Sequence, residues 1–151
     1  MRLIVSFFLF FVINFSYAQT IKPFESDGCS SFPNGTFKQK QLWLSCCEVH
    51  DYAYWKGGTY ADRFKSDVEL KQCVHDAGES EIGIMMLAGV RVGGNPFINT
   101  SFRWGYGWPY PRFYQTLTQA ELKQISDLEE AKEKTLPAET SELSDTIKPI
   151  N

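Results

Sequence analysis

The sequence has no basic stripe interleaved with aromatic residues, a lack that excludes nucleic acid as a partner. It has no internal repeat and no C-x-x-C pair among its 4 cysteines. Adjacent Cys46 and Cys47 would also point roughly 100° apart on a helix. Both features argue against a zinc site as the explanation of the Cys/His cluster. Within the globular part, the most apolar stretch is Ser80–Val92, too short for a bilayer crossing, which needs about 20 residues. From Leu117 onward there is no aromatic residue, and eight acids face four lysines. From Gln19 to Thr116, by contrast, ten acids balance ten bases.

What is present begins with an N-terminal targeting pattern. Arg2 precedes the apolar run Leu3–Phe15, broken by Ser6 and Asn14, and Ser16-Tyr17-Ala18 offers small residues before a cut ahead of Gln19. That order is expected to be a cleavable signal peptide over residues 1–18, and the apolar run is short for a retained anchor. The implied location is secreted or periplasmic. The mature chain of about 133 residues suits one domain. An even cysteine count in an exported chain is expected to mean disulfides, and four cysteines allow three connectivities.

Residues 19–37 carry Asp27-Gly28, Pro33-Asn34-Gly35 and several serines, and read as irregular. A first helix is predicted from near Lys38 to Lys56, stopped by Gly57-Gly58. Thr59 with Asp62 forms a capping-box pattern for a second helix to about Val74, antiparallel to the first because the linker is short. Ser80–Val92 reads as a third helix, apolar enough to be buried. Gly93–Thr116, rich in Gly, Pro and aromatics, reads as packed loop or short extended structure. Thr118 and Glu121 form a second capping box before a polar helix to about Lys134. A disordered acidic tail is expected beyond it.

On the first helix, Cys46, His50 and Tyr54 recur every four residues and share a face; Cys47 and Asp51 share the adjacent one. If Cys46 were tied to Cys73, the second helix would be clamped with Asp67 within reach of His50 and Tyr54. If Cys47 were tied to Cys29, the Gly28–Asn34 loop would lie beside Asp51. Its carbonyls and that carboxylate would then surround one hard cation.

The ordered set Cys46-Cys47-x-x-His50-Asp51-x-x-Tyr54, with Asp67 six residues before Cys73, resembles the secreted phospholipases A2. The resemblance spans roughly residues 27 to 74, and Asp27-Gly28-Cys29 falls where that family has its calcium loop. The short chain and plain signal fit a divergent bacterial member. The fold implied is mainly α: two antiparallel disulfide-linked helices with a calcium-type loop, plus accessory helices. Residues 19–116 would form the domain, and 117–151 the polar helix and tail. The disulfides implied are Cys29–Cys47 and Cys46–Cys73.

The resemblance also assigns roles. His50 would be the general base on a water attacking the sn-2 ester of a glycerophospholipid, Asp67 would fix its tautomer, and Tyr54 would donate to Asp67. Asp51 with the carbonyls of Gly28, Ser30 and Phe32 would hold calcium. One carboxylate among about six to eight oxygens implies an affinity of ~10⁻⁴ to 10⁻³ M. The partner implied is a phospholipid membrane or micelle surface. Oligomeric state leaves no readable mark.

The sequence departs from the family at Ser30-Ser31-Phe32-Pro33, where the related loops are glycine-rich. No family landmark follows Val74. That departure favours the alternative of a catalytically silent scaffold binding lipid, calcium or a protein. Blander readings stand beside each role: a structural His50, a solvated Asp51, and Asp62 in place of Asp67 as the histidine's partner, though Asp62 is better explained as a cap. His75 reads as a solvated helix end. Trp43, Trp55, Trp104 and Trp108 suit either a membrane interface or the core.

Overall fold

A computed structural model describes residues 19–135; the expected signal peptide and the acidic tail beyond Thr135 lie outside the described residues. The described residues form four helices and no strand: α1 (Leu44–Lys56), α2 (Tyr60–Asp76), α3 (Ser80–Gly93) and α4 (Gln119–Thr135). None is long and apolar enough to cross a membrane.

Helix α1 starts six residues later than the sequence suggested. Residues 38–43 instead run through turns, with Leu42 N–H donating to Gln39 and Trp43 N–H to Asn34. The Trp43 indole donates to the Pro33 carbonyl at 2.6 Å. This buried anchor commits the local backbone donors to turns and holds the chain off helical geometry until Leu44.

The stop after Lys56 is made by Gly57 and Gly58, both in positive-φ conformations that side chains resist. Thr59 and Asp62 then form a reciprocal capping box. Three links run in opposite directions along α1 and α2, and so make them antiparallel: Cys46–Cys73, His50–Asp67 and Tyr54–Arg63. Helix α3 packs on α2 at a place where Gly83 has room for no Cβ; one would lie 2.7 Å from the Lys71 carbonyl oxygen. Trp43, Cys46, Cys47, Leu70, Val74 and Met86 fill the core between these elements.

The last four carbonyls of a helix lack partners of their own. Those of α1 find them mainly in a distant loop. Gly105 N–H donates to Tyr54 at 2.7 Å, Gly107 N–H to Trp55 at 3.1 Å, and the Trp108 indole to Lys56 at 2.8 Å. Buried Arg103 holds that loop in shape through the carbonyls of Trp104, Gly105 and Trp108. The segment 93–116 is therefore a tertiary cap on α1, which keeps the Tyr54 end of the helix from fraying.

All four tryptophans are core residues, each no more than 3% exposed. The membrane-interface reading of them is thus overturned, because their indoles are spent on internal carbonyls. A second core joins Ile21, Trp55, Trp108 and Ile125. Helix α4 belongs to it, tied further by Arg112–Glu121 at 2.6 Å and by Gln124 to the backbone of Gln19 and Ile21.

Candidate active site

Asp67 is fully buried and its two oxygens serve different partners. Oδ1 lies 2.9 Å from His50 Nε2 and accepts the Tyr54 hydroxyl at 2.8 Å. Oδ2 accepts Arg91 Nη1 at 2.7 Å, with Arg63 Nε 3.8 Å away. Burial by itself would raise the pKa of Asp67. The hydrogen bonds from His50, Arg91 and Tyr54 outweigh it and hold the carboxyl below its ordinary value. Burial, reinforced by the Asp67 charge, pushes the Tyr54 hydroxyl far up, so it stays protonated and donates.

An ionised carboxylate only accepts, so His50 Nε2 carries the ring proton. In the neutral ring the lone pair is then on Nδ1, which has no protein partner among the described residues. His50 is buried, yet it lines a cavity of about 500 Å³. Its ring is therefore oriented from below and available from above.

Asp51, one residue on, lines the same cavity. Its Oδ2 accepts the Ser26 hydroxyl at 2.6 Å. Its pKa is pushed up to about 6, first by burial and then by the negative charge of Asp27, while the Ser26 hydrogen bond opposes both. Among the described residues no Lys or Arg forms an ion pair with it, and His50 alone supplies a favourable charge.

The disulfide Cys29–Cys47 fixes the preceding loop beside it. Gly28 and Ser30 both take positive φ, at 77° and 53°. Asn34 Oδ1 accepts the Cys29 N–H, and the Cys29 carbonyl accepts Phe32 N–H. The carbonyls of Gly28, Ser30 and Phe32 accept no hydrogen bond among the described residues. Carboxylate plus free carbonyls is an all-oxygen donor set, which suits a hard cation. No group of three or more His, Cys, Asp or Glu side chains among the described residues could hold a metal. A cation here would therefore depend on backbone oxygens.

The opposite wall is apolar and comes from α2, α3 and the following loop, through Leu70, Met85, Met86, Val90 and Phe102. An imidazole that in its neutral form would present a lone pair thus faces an apolar slot beside a carboxylate with no Lys or Arg partner among the described residues, an arrangement able to activate water against an amphiphile.

The structure brings Gly28, Ser30, Phe32, His50, Asp51 and Tyr54 to one cavity and places Asp67 beneath it. Asp62 is a cap and does not contact His50. His75 sits exposed at the end of α2 against Ser80. Sequence reading missed Arg63 and Arg91. Arg63, four residues before Asp67, shares its helix face, a signal that was available. Arg91 lies 24 residues away on another helix, and nothing local marks it.

No protein-family model, curated protein or solved structure matches the chain.

Proposed function

We propose that the protein is a secreted or periplasmic, calcium-dependent esterase of phospholipase A2 type, acting on the sn-2 ester of glycerophospholipids at a membrane or micelle surface. The finer fold reading belongs with it: the α1–α2 hairpin and the Gly28–Asn34 loop correspond to that family's helix pair and calcium loop. The observation that carries the proposal is the His50 ring, its Nε2 2.9 Å from Asp67 Oδ1, opening on an apolar cavity that Asp51 also lines.

In this mechanism His50 Nδ1 takes a proton from a water as that water attacks the ester carbonyl; when the tetrahedral intermediate collapses, the acyl C–O bond breaks and the imidazolium returns the proton to the departing glycerol oxygen, giving fatty acid and lysophospholipid. Asp67 Oδ1 holds the tautomer and stabilises the imidazolium as it forms, and Tyr54 shares that oxygen's charge. Leu70, Met86, Val90 and Phe102 receive an acyl chain and exclude bulk water. Asp51 and the carbonyls of Gly28, Ser30 and Phe32 would hold calcium, which when bound supplies a Lewis acid for the ester oxygen and a counter-charge for the phosphate. Two disulfides and the N-terminal targeting pattern support an oxidising compartment.

The test is fatty-acid release from mixed phospholipid vesicles by oxidised mature protein, in millimolar calcium and in chelator, with His50→Gln in parallel. Release that needs both calcium and His50 is expected. Release that persists in His50→Gln would refute the mechanism. A silent binding scaffold is the second reading. It is favoured by Asp51 being the one carboxylate among the described residues that line the cavity, with Ser26 already on an oxygen. Calcium binding without release would select it.

A further inference from the structure

Resting on that reading of His50, we propose that Arg91 is a positioning residue: it holds Asp67 Oδ2 so that Oδ1 stays aimed at His50 Nε2, and thereby sets the tautomer that leaves Nδ1 free.

A carboxylate turns about its Cβ–Cγ bond unless both oxygens are engaged. Oδ1 is engaged by His50 and Tyr54, neither of which restrains Oδ2. Among the described residues Arg91 alone donates a hydrogen bond to Oδ2, since Arg63 Nε stands off at 3.8 Å. Arg63 is instead committed elsewhere, donating to the hydroxyls of Tyr54 and Tyr114 and to the carbonyls of Val90 and Arg91.

Arg91 is itself fixed from outside. Its second terminal nitrogen donates to the Tyr60 hydroxyl at 2.9 Å, and its guanidinium lies over the Tyr60 and Phe64 rings. A planar fork can grip Asp67 and Tyr60 together, whereas a lysine ammonium concentrates its donors at one point. Arg91 also belongs to α3, whose Met85, Met86, Gly89 and Val90 form a wall of the cavity. Arg91 thus joins the α3 wall of the cavity to the carboxylate that faces His50.

The experiment labels the histidine rings with ¹⁵N and reads His50 in wild type, Arg91→Met and Arg91→Lys. Spectra are taken at a pH where the ring is neutral. Wild type is expected to show one protonated-type and one lone-pair-type nitrogen, a single Nε2–H tautomer. Arg91→Met is expected to bring the two signals toward each other as tautomers mix, and Arg91→Lys, which keeps a donor for Asp67 but loses the grip on Tyr60, to restore part of the separation. Where turnover is measured, kcat falls roughly 10- to 100-fold in Arg91→Met with KM within about twofold, no more than the lower end of the ~10²–10⁴-fold that a general base supplies.

An unchanged His50 spectrum in folded Arg91→Met overturns the proposal. So does equal loss in Met and Lys accompanied by a lowered melting temperature, which marks a merely structural role. If Arg91→Met does not fold, Arg91→Gln is read in its place with the same expectations. The tautomer is read without turnover, so the two ideas fail separately. A wild type that releases no fatty acid but shows the Arg91-dependent tautomer sinks the esterase reading and keeps the positioning role.

Discussion

Replacing the candidate cation ligand Asp51 by Asn should make the calcium-free protein more stable. Asp51 rises from 3.8 to about 6 on folding, chiefly because burial strips water from its charge and then because Asp27 and Glu48 repel it. A group whose folded pKa is raised binds more protons folded than unfolded. The penalty on its ionised form therefore grows as pH rises from about 4 to 6, and is complete above that. At ~1.36 kcal/mol per pKa unit, the ceiling is about 3 kcal/mol. Asp51 is only partly buried, and solvent screening brings a realistic gain down to about 1–2 kcal/mol. Asn keeps an oxygen for the Ser26 hydroxyl and removes the charge.

In a chain of this size 1 kcal/mol moves Tm by about 3–5 °C, so Asp51→Asn should melt roughly 3–10 °C higher at pH 7 in chelator. The gain should shrink as pH falls toward 4, where the folded wild type is already protonated. Calcium should offset most of that advantage. At tenfold excess over Kd it adds about 1.4 kcal/mol to wild type and nothing to the variant. Scanning calorimetry across pH 4.5–7.5, with and without calcium, reads all three effects. A variant that is less stable than wild type at pH 7 in chelator, or a difference that does not change with pH, would refute the reasoning.

Asp67→Ala removes the anion from between Arg63 and Arg91 and should cost about 3–5 kcal/mol, read as the urea midpoint. Replacing Cys46 and Cys73 together by Ala opens a link across a sequence separation of 27 residues. It should cost about 3.5 kcal/mol by the loop-entropy relation, measured by denaturation against the oxidised wild type. Two glycines of α3 should respond with opposite sign. Gly89→Ala meets nothing within 4 Å and should stabilise by about 0.5–1 kcal/mol, whereas Gly83→Ala drives a Cβ against the Lys71 carbonyl and should destabilise. Thermal melts of the pair check both signs, and a stabilised Gly83→Ala would contradict the close α2–α3 packing.

The helices were largely legible because their ends are written locally. Thr59 with Asp62 and Thr118 with Glu121 satisfy orphan amides within one turn, so a short window carries the signal. The start of α1 was misjudged because its determinant, the Trp43 indole on Pro33, spans ten residues and has no periodicity. The face carrying Cys46, His50 and Tyr54 was readable for the same reason as the caps, since helical spacing alone aligns it. The aromatic-rich segment 93–116 was readable only as irregular. Its work, closing the carbonyl end of α1, needs residues fifty positions apart to meet.

Sequence alone determined the elements and the residue types placed on one helical face, because period and capping act over a few residues. Tertiary structure decided the rest: which carboxylate reaches His50, which tryptophans are buried, and where the apolar wall of the cavity comes from. It also decided that two arginines stand behind Asp67. The physical reason is that desolvation and ion pairing depend on what surrounds a group in space. The charge on a buried carboxylate is paired by whichever cation the packing of distant helices delivers, here Arg91 from α3, and no local pattern encodes that meeting.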